Sequence, residues 1–131
     1  MPLRYTLKKH QILSSKKEIS HLFNNGKSIS EYPIKLVYLI APKNEATIRQ
    51  EKFKVMFIVP KKQIRKSAHR NAIKRKMRES FRLLQHDLKP IEQHTYFLAF
   101  IYISKDRNQN ILMKIPESIK TLIEKINNTS R

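Results

Sequence analysis

The window from Lys52 to Arg78 constrains this chain more than any other: 27 residues, 11 of them Lys or Arg, without one Asp or Glu. Its periodicity changes halfway. Lys52 to Val59 reads as a strand, stopped by Pro60, which cannot donate to a ladder. Lys61, Lys62, Arg65 and Lys66 then fall in a loop, and Ser67 is expected to cap a helix running to about His86. Advancing about 100 degrees per residue from Ile73 places Met77, Phe81, Leu84 and Leu88 within an arc of about 80 degrees. That arc faces a core. Lys74, Asn71, Arg78, Arg82 and Arg75 follow on the wheel at about 100 to 200 degrees, a basic sector expected to be free of acids. Arg70 falls at about 60 degrees, one turn before Ile73, and is expected to project past the sheet edge and line a groove.

Around this window the remaining elements fit one domain. Residues 1 to 14 are a basic lead-in expected to lie extended over the domain. Ser15, Lys16, Lys17 and Glu18 match the capping box, in which a Ser hydroxyl and a Glu carboxylate each satisfy an unpaired backbone N–H. Ile19, Leu22 and Phe23 follow at helical spacing, and Gly26, the only glycine, stands where a left-handed helix cap is expected. Pro33 to Ile40 alternates Ile34, Leu36 and Tyr38 with Lys35, Val37 and Leu39, the two-residue period of a strand. A short extra strand near Lys27 to Ile29 is possible. Ala41 to Glu51 is a polar connection, and the strands on either side of it are expected to form a hairpin.

Thr95 to Ser104, rich in aromatic and β-branched residues, is expected as a central strand. Ile115, Ile119, Leu122, Ile123 and Ile126 recur at helical spacing, with Pro116 suited to a first turn. Residues 127–131 are expected to fray. The order is helix, two strands with the possible third, helix, strand, helix: an α+β, two-layer sandwich spanning residues 1–131.

A charge of +18 and a pI near 10.4 imply a polyanionic partner. The apolar run Phe97 to Ile103 has seven residues, against the about 20 that a membrane-spanning helix needs. The first thirty residues lack the apolar stretch of a secretory signal, so a cytoplasmic location is expected. Cysteine is absent, which excludes disulfides and thiolate metal sites.

A lysine-rich helix can be a merely solvated face. Such faces usually mix signs for i, i+4 pairing; this one gathers cations beside a helix N-terminus, whose dipole also favours phosphate. Arginine outnumbers lysine in the basic sector, which favours bidentate phosphate contacts.

Arg70-Asn71-Ala72-Ile73-Lys74-Arg75-Lys76-Met77-Arg78-Glu79 resembles the signature helix of the bacterial ribonuclease P protein, commonly Arg-Asn-Arg-x-Lys-Arg followed by Arg-Glu or Arg-Gln. Val55 to Lys62, a strand ending in a Lys pair, is similar in kind. So are the helix ending in Leu22-Phe23 and the turn Gly26-Lys27-Ser28. The resemblance covers about residues 5 to 104. It implies the order α-β-β-(β)-α-β-α with a left-handed βαβ crossover, and contacts from Arg70, Asn71, Lys74, Arg75 and Arg78 to a catalytic RNA. Ala72 stands where the family usually has arginine, so one contact is either missing or supplied by Lys76. The resemblance also implies a cleft for the single-stranded 5′ leader of precursor tRNA between the first helix and the outer sheet face, to which Ile19, Phe23, Lys35 and Val37 map. Val37 replaces what is often an aromatic, so stacking on a leader base, worth about 1 to 3 kcal/mol, is not provided there. For Phe23 an ordinary core position is the competing reading; Tyr38, Tyr96 and Tyr102 read as packing.

Precursor tRNA cleavage needs an activated water and a stabilised leaving oxygen, commonly through two divalent ions. The acids are scattered, and His69 reads as a phosphate contact or bystander rather than a general base. The resemblance implies that Mg2+ is bound mainly by the RNA partner, with no catalytic residue on this chain. Two rival classes are a structural, ribosomal-type RNA-binding protein and a protein-only nuclease.

Overall fold

A computed structural model of the chain describes residues 6–43 and 51–129. A 3₁₀ turn (Lys9–Gln11) precedes α1 (Lys16–Asn25), β1 (Lys27–Glu31), β2 (Ile34–Pro42), β3 (Phe53–Ile58) and α2 (Ser67–Leu84). A second 3₁₀ turn (Gln85–Asp87), β4 (His94–Tyr102), α3 (Gln109–Leu112) and α4 (Ile115–Thr129) complete it.

The sheet has the order β1-β2-β4-β3. β4 is central, as its apolar run requires: it pairs antiparallel with β2 and parallel with β3. The expected hairpin between β2 and β3 is therefore wrong. β4 lies between those strands, and the hairpin partner of β2 is the short β1. A parallel neighbour needs a crossover, and α2 supplies it, so β3-α2-β4 is a βαβ unit.

Alternation divides the sheet into two faces. Ile34, Leu36 and Tyr38 on β2, Phe53 and Val55 on β3, and Tyr96, Leu98, Phe100 and Tyr102 on β4 join one buried cluster with Ile73, Met77, Phe81 and Leu88 and the isoleucines of α4. Phe81 is its centre: it meets Phe53 edge-on, with centroids 5.1 Å apart, and tilts onto Phe100 at 5.3 Å. The opposite, outer face carries Val37, Ala41, Phe97 and Ala99, which pack with Leu13 and Leu22.

Several local expectations change. Ser15 Oγ accepts from the Glu18 N–H at 3.3 Å, but Glu18 does not complete the capping box; its carboxylate holds Lys54 instead. Gly26 has φ −77 and ψ 165, extended rather than left-handed. The glycine is required by close packing: a Cβ there would lie 2.4 Å from the Leu22 carbonyl oxygen and 2.9 Å from that of Tyr38. Ser67 is the first helical residue of α2, not its cap; Lys66 takes that position without a side-chain capping bond.

The lead-in does not simply lie extended: Leu7 and Leu13 are buried, the 3₁₀ turn intervenes, and Ile12 bridges Val55. Residues 127–129 do not fray, because α4 continues to Thr129 and Asn127 bonds both Lys89 N and the Asp87 carbonyl. Residues 1–5, most of the 41–51 connection and residues 130–131 lie outside the described residues. Among the described residues no helix is long and apolar enough to cross a membrane.

Candidate nucleic-acid interface

The stripe that buries Ile73, Met77 and Phe81 turns the rest of α2 outward, so Asn71, Lys74, Arg75 and Arg78 are exposed together. They rim a cleft of about 410 Å³ between α2 and the β3 edge, floored by Ile12, Met56 and Phe57. No acid lines it. Amide, ammonium and guanidinium donors above an apolar floor suit a phosphate backbone whose sugars or bases need a dry surface. The floor residues were not singled out from sequence. Met56 and Phe57 read only as strand positions, and Ile12 as lead-in; the cleft exists because the lead-in turns back onto β3, where Leu13 N bonds the Val55 carbonyl.

The remaining cations of the window separate into two kinds. Lys61, Lys62, Arg65 and Lys66 are exposed in the loop after β3. Arg70 does not project past the sheet edge. It is half-buried and folds back, donating from one guanidinium nitrogen to the Ile64 carbonyl at 3.1 Å and to that of Arg65 at 2.6 Å, and so it shapes the loop. The basic sector itself holds no acid, but it is not isolated from one: Glu79, just past it on the wheel, clasps Arg82 through both carboxylate oxygens. Arg82 donation holds the Glu79 carboxyl below the usual range, and the same bond raises the Arg82 pKa. Their i, i+3 spacing explains the pair.

Past the basic sector, Ala72, Lys76, Glu79 and Leu83 turn towards α4 and line a groove with Pro116, Glu117 and Lys120. Lys76 thus shares a helix face with Ala72. It points away from the face of Asn71, Lys74 and Arg78.

Of the four cleft residues, Ile19 and Val37 belong to the apolar cluster of the outer sheet face, and the four are unequally available. Ile19 packs at the margin of the apolar cluster, while Val37 keeps 8% of its surface. Lys35 is half-buried, and Phe23 is 44% exposed, which removes the core reading for it. Strand register places Lys35, Ile101 and Ile58 in one cross-strand row and Val37, Ala99 and Met56 in the next. The accessible apolar positions there include Ile58 and Ile101, both half-buried. The signal that would have found them is the period-two alternation of β3 and β4, once their pairing is known.

Four of the described carboxylates are each engaged with one basic side chain: Glu18 with Lys54, Glu31 with Lys125, Glu51 with His10, and Glu79 with Arg82. Among the described residues no group of three His, Asp or Glu side chains could hold a metal ion. Mg2+ asks for near-octahedral oxygen ligands, and these dispersed side chains do not fit it.

A sequence profile of the Ribonuclease P family matches residues 7–127, taking in the lead-in, α2 and α4. The chain belongs to the ribonuclease P protein family. It is 30% identical over 108 residues to the ribonuclease P protein component of Porphyromonas gingivalis, covering 80% of this chain and 76% of that one. To the component of Chlorobium phaeobacteroides it is 36% identical over 77 residues, 59% of this chain and 52% of that one. Two solved structures share the fold. The RNase P protein of Staphylococcus aureus superposes with a TM-score of 0.62 at 17% identity, covering 87% of this chain and 93% of that one. That of Thermotoga maritima gives 0.63 at 18% identity, over 88% and 96%. A ribosomal-type protein is thereby set aside, since family and fold agree across α1 to α4.

Proposed function

We propose that this chain is the protein subunit of ribonuclease P, binding a catalytic RNA and the 5′ leader of precursor tRNA while the RNA carries out cleavage in the cytoplasm. The observation that carries the reading is the acid-free cleft of Asn71, Lys74, Arg75 and Arg78 over Ile12, Met56 and Phe57. A surface of that kind neutralises phosphates and releases their counterions, which gives affinity without chemistry.

In this reading Lys61, Lys62, Arg65 and Lys66 extend the contact along the loop before α2, and Arg70 acts through the loop carbonyls it holds. Ile19, Phe23, Lys35 and Val37, with Ile58 and Ile101, form the wall along which the leader lies. Phe23 offers an exposed ring, and Lys35 a cation. The protein then favours precursor over product because only precursor has a leader to occupy that wall. Mg2+ is held mainly by the RNA; no step through that ion is assigned to this chain.

The test is recovery of the bound RNA. Tagged protein isolated from its cells is expected to carry ribonuclease P RNA and leader-bearing tRNA precursors. Sedimentation with ribosomal subunits instead would favour the ribosomal-type alternative.

A further inference from the structure

Parallel pairing of β3 with β4 sends the segments after both strands out of the same edge of the sheet. The β1–β2 turn arrives there too, because Ile34 pairs with Tyr102. After β3 comes the cationic loop; after β4 come residues 103–108. The two are tied: Gln63 Nε2 donates to the Ile103 carbonyl at 2.6 Å.

The second loop is held from its other side as well. Tyr32 Oη donates to Ser104 Oγ at 2.7 Å, Asp106 N donates to the same oxygen at 3.0 Å, and the Tyr102 hydroxyl donates to the Asp106 carbonyl. On this fixed backbone Lys105 and Arg107 are exposed, and among the described residues neither enters an ion pair. Slight desolvation, then the fields of Arg107 and Lys66, hold the His69 imidazole below its ordinary pKa.

We propose that the RNA-binding surface continues from α2 round this sheet edge onto the loop after β4, where Lys105 and Arg107 grip the ribose–phosphate backbone. The inference rests on the RNA-binding reading of α2. In sequence these two cations lie outside the acid-free window, with the last third of α2 and all of β4 intervening. Only the parallel register brings their loop to the one that carries Lys66. Rigid placement matters for affinity, since cations already held at a fixed spacing lose less freedom on binding.

The experiment uses the full chain and three transcripts: the organism's ribonuclease P RNA, a precursor tRNA with its leader, and the same tRNA without it. Dissociation constants are measured by filter binding across a salt series. Each phosphate contact contributes about 0.9 to the slope of log affinity against log salt. The variant K105A/R107A should therefore lower the slope by about 1 to 2 for at least one transcript. K27A/K89A, which removes the same charge at the opposite sheet edge, should leave it near the wild-type value. Loss against ribonuclease P RNA assigns the grip to that RNA, and loss only against leader-bearing tRNA assigns it to the leader. Unchanged slopes in K105A/R107A, or equal losses in both double variants, would overturn the proposal. If K74A/R78A still reduces the slope in that case, RNA binding by α2 stands and only its extension fails. If the wild type shows no salt-dependent binding to any transcript, both fail together. Both cations are exposed, so an unchanged thermal midpoint is expected and checks that the variant is folded.

Discussion

Lys54 on β3 holds Glu18 on α1 through both carboxylate oxygens, at 3.1 and 3.0 Å, and so ties the first helix to the far edge of the sheet it covers. The pair is about 30% exposed on each side, so its contribution to stability is small, about 0.2 to 1 kcal/mol. Its effect on the outer face should be larger. Glu18→Gln is expected to shift the urea midpoint only slightly while reducing several-fold the preference for leader-bearing over leaderless tRNA. An unchanged preference would mean that the position of α1 does not set the cleft.

Adjacent residues on α1 should separate stability from recognition. Leu22 is fully buried, and Leu22→Ala should cost about 2 to 5 kcal/mol in denaturant unfolding. Phe23 is 44% exposed; Phe23→Ala should leave stability within about 1 kcal/mol. If Phe23 stacks on a leader base, its loss costs about 1 to 3 kcal/mol of binding, about 5- to 150-fold, for leader-bearing tRNA alone. Equal losses with mature tRNA would refute the cleft assignment.

The cations of α2 should not behave alike. Charge reversal at Arg75 and Arg78, which rim the β3-side cleft, is expected to weaken RNA binding strongly and flatten its salt dependence. Arg82→Ala should do less, because Glu79 already engages that guanidinium. Arg70→Ala should weaken binding and, unlike the others, also raise amide exchange at residues 63 to 66, around the Ile64 and Arg65 carbonyls it holds.

RNA binding should take up protons. His69 in the free protein titrates below the ordinary imidazole value of about 6.5, through slight desolvation and then the cations Arg107 and Lys66. The unfolded chain therefore binds the proton more readily, so the His69 contribution to stability falls as pH drops through that range. Phosphate neutralising those cations raises the pKa again, so affinity should climb as pH falls from about 7 to about 5.5. His69→Gln should reduce that climb; an identical profile in the variant would exclude His69 as its source.

Gly26→Ala should destabilise by more than the usual glycine-to-alanine difference, since a Cβ would meet backbone oxygens of both Leu22 and Tyr38. A cost of about 1 to 3 kcal/mol is expected from overpacking. No loss in thermal unfolding would show that α1 and β2 can separate at this point.

Much of the fold was legible because burial imposes period. The 3.6-residue stripe of Ile73, Met77 and Phe81 and the apolar run of β4 each admitted one packing. Strand pairing was not legible: adjacency in sequence suggested a β2–β3 hairpin, whereas β4, encoded 35 residues after β3 ends, takes the place between them. The same kind of error affected the site. The helix wheel showed which cations share a face, but not that Glu79 would reach Arg82 or that Arg70 would turn back to loop carbonyls. Ile12, Met56 and Phe57 carried no signal as a group, because only tertiary contact assembles that floor.

Single-turnover cleavage of a leader-bearing precursor tRNA at low Mg2+, with purified protein and the organism's ribonuclease P RNA together and separately, tests the central claim most directly. Cleavage should be fast with both, slow with RNA alone and absent with protein alone, and K74A/R75A/R78A should abolish the gain. Cleavage by the protein without RNA, or an RNA rate that the protein does not change, would contradict it.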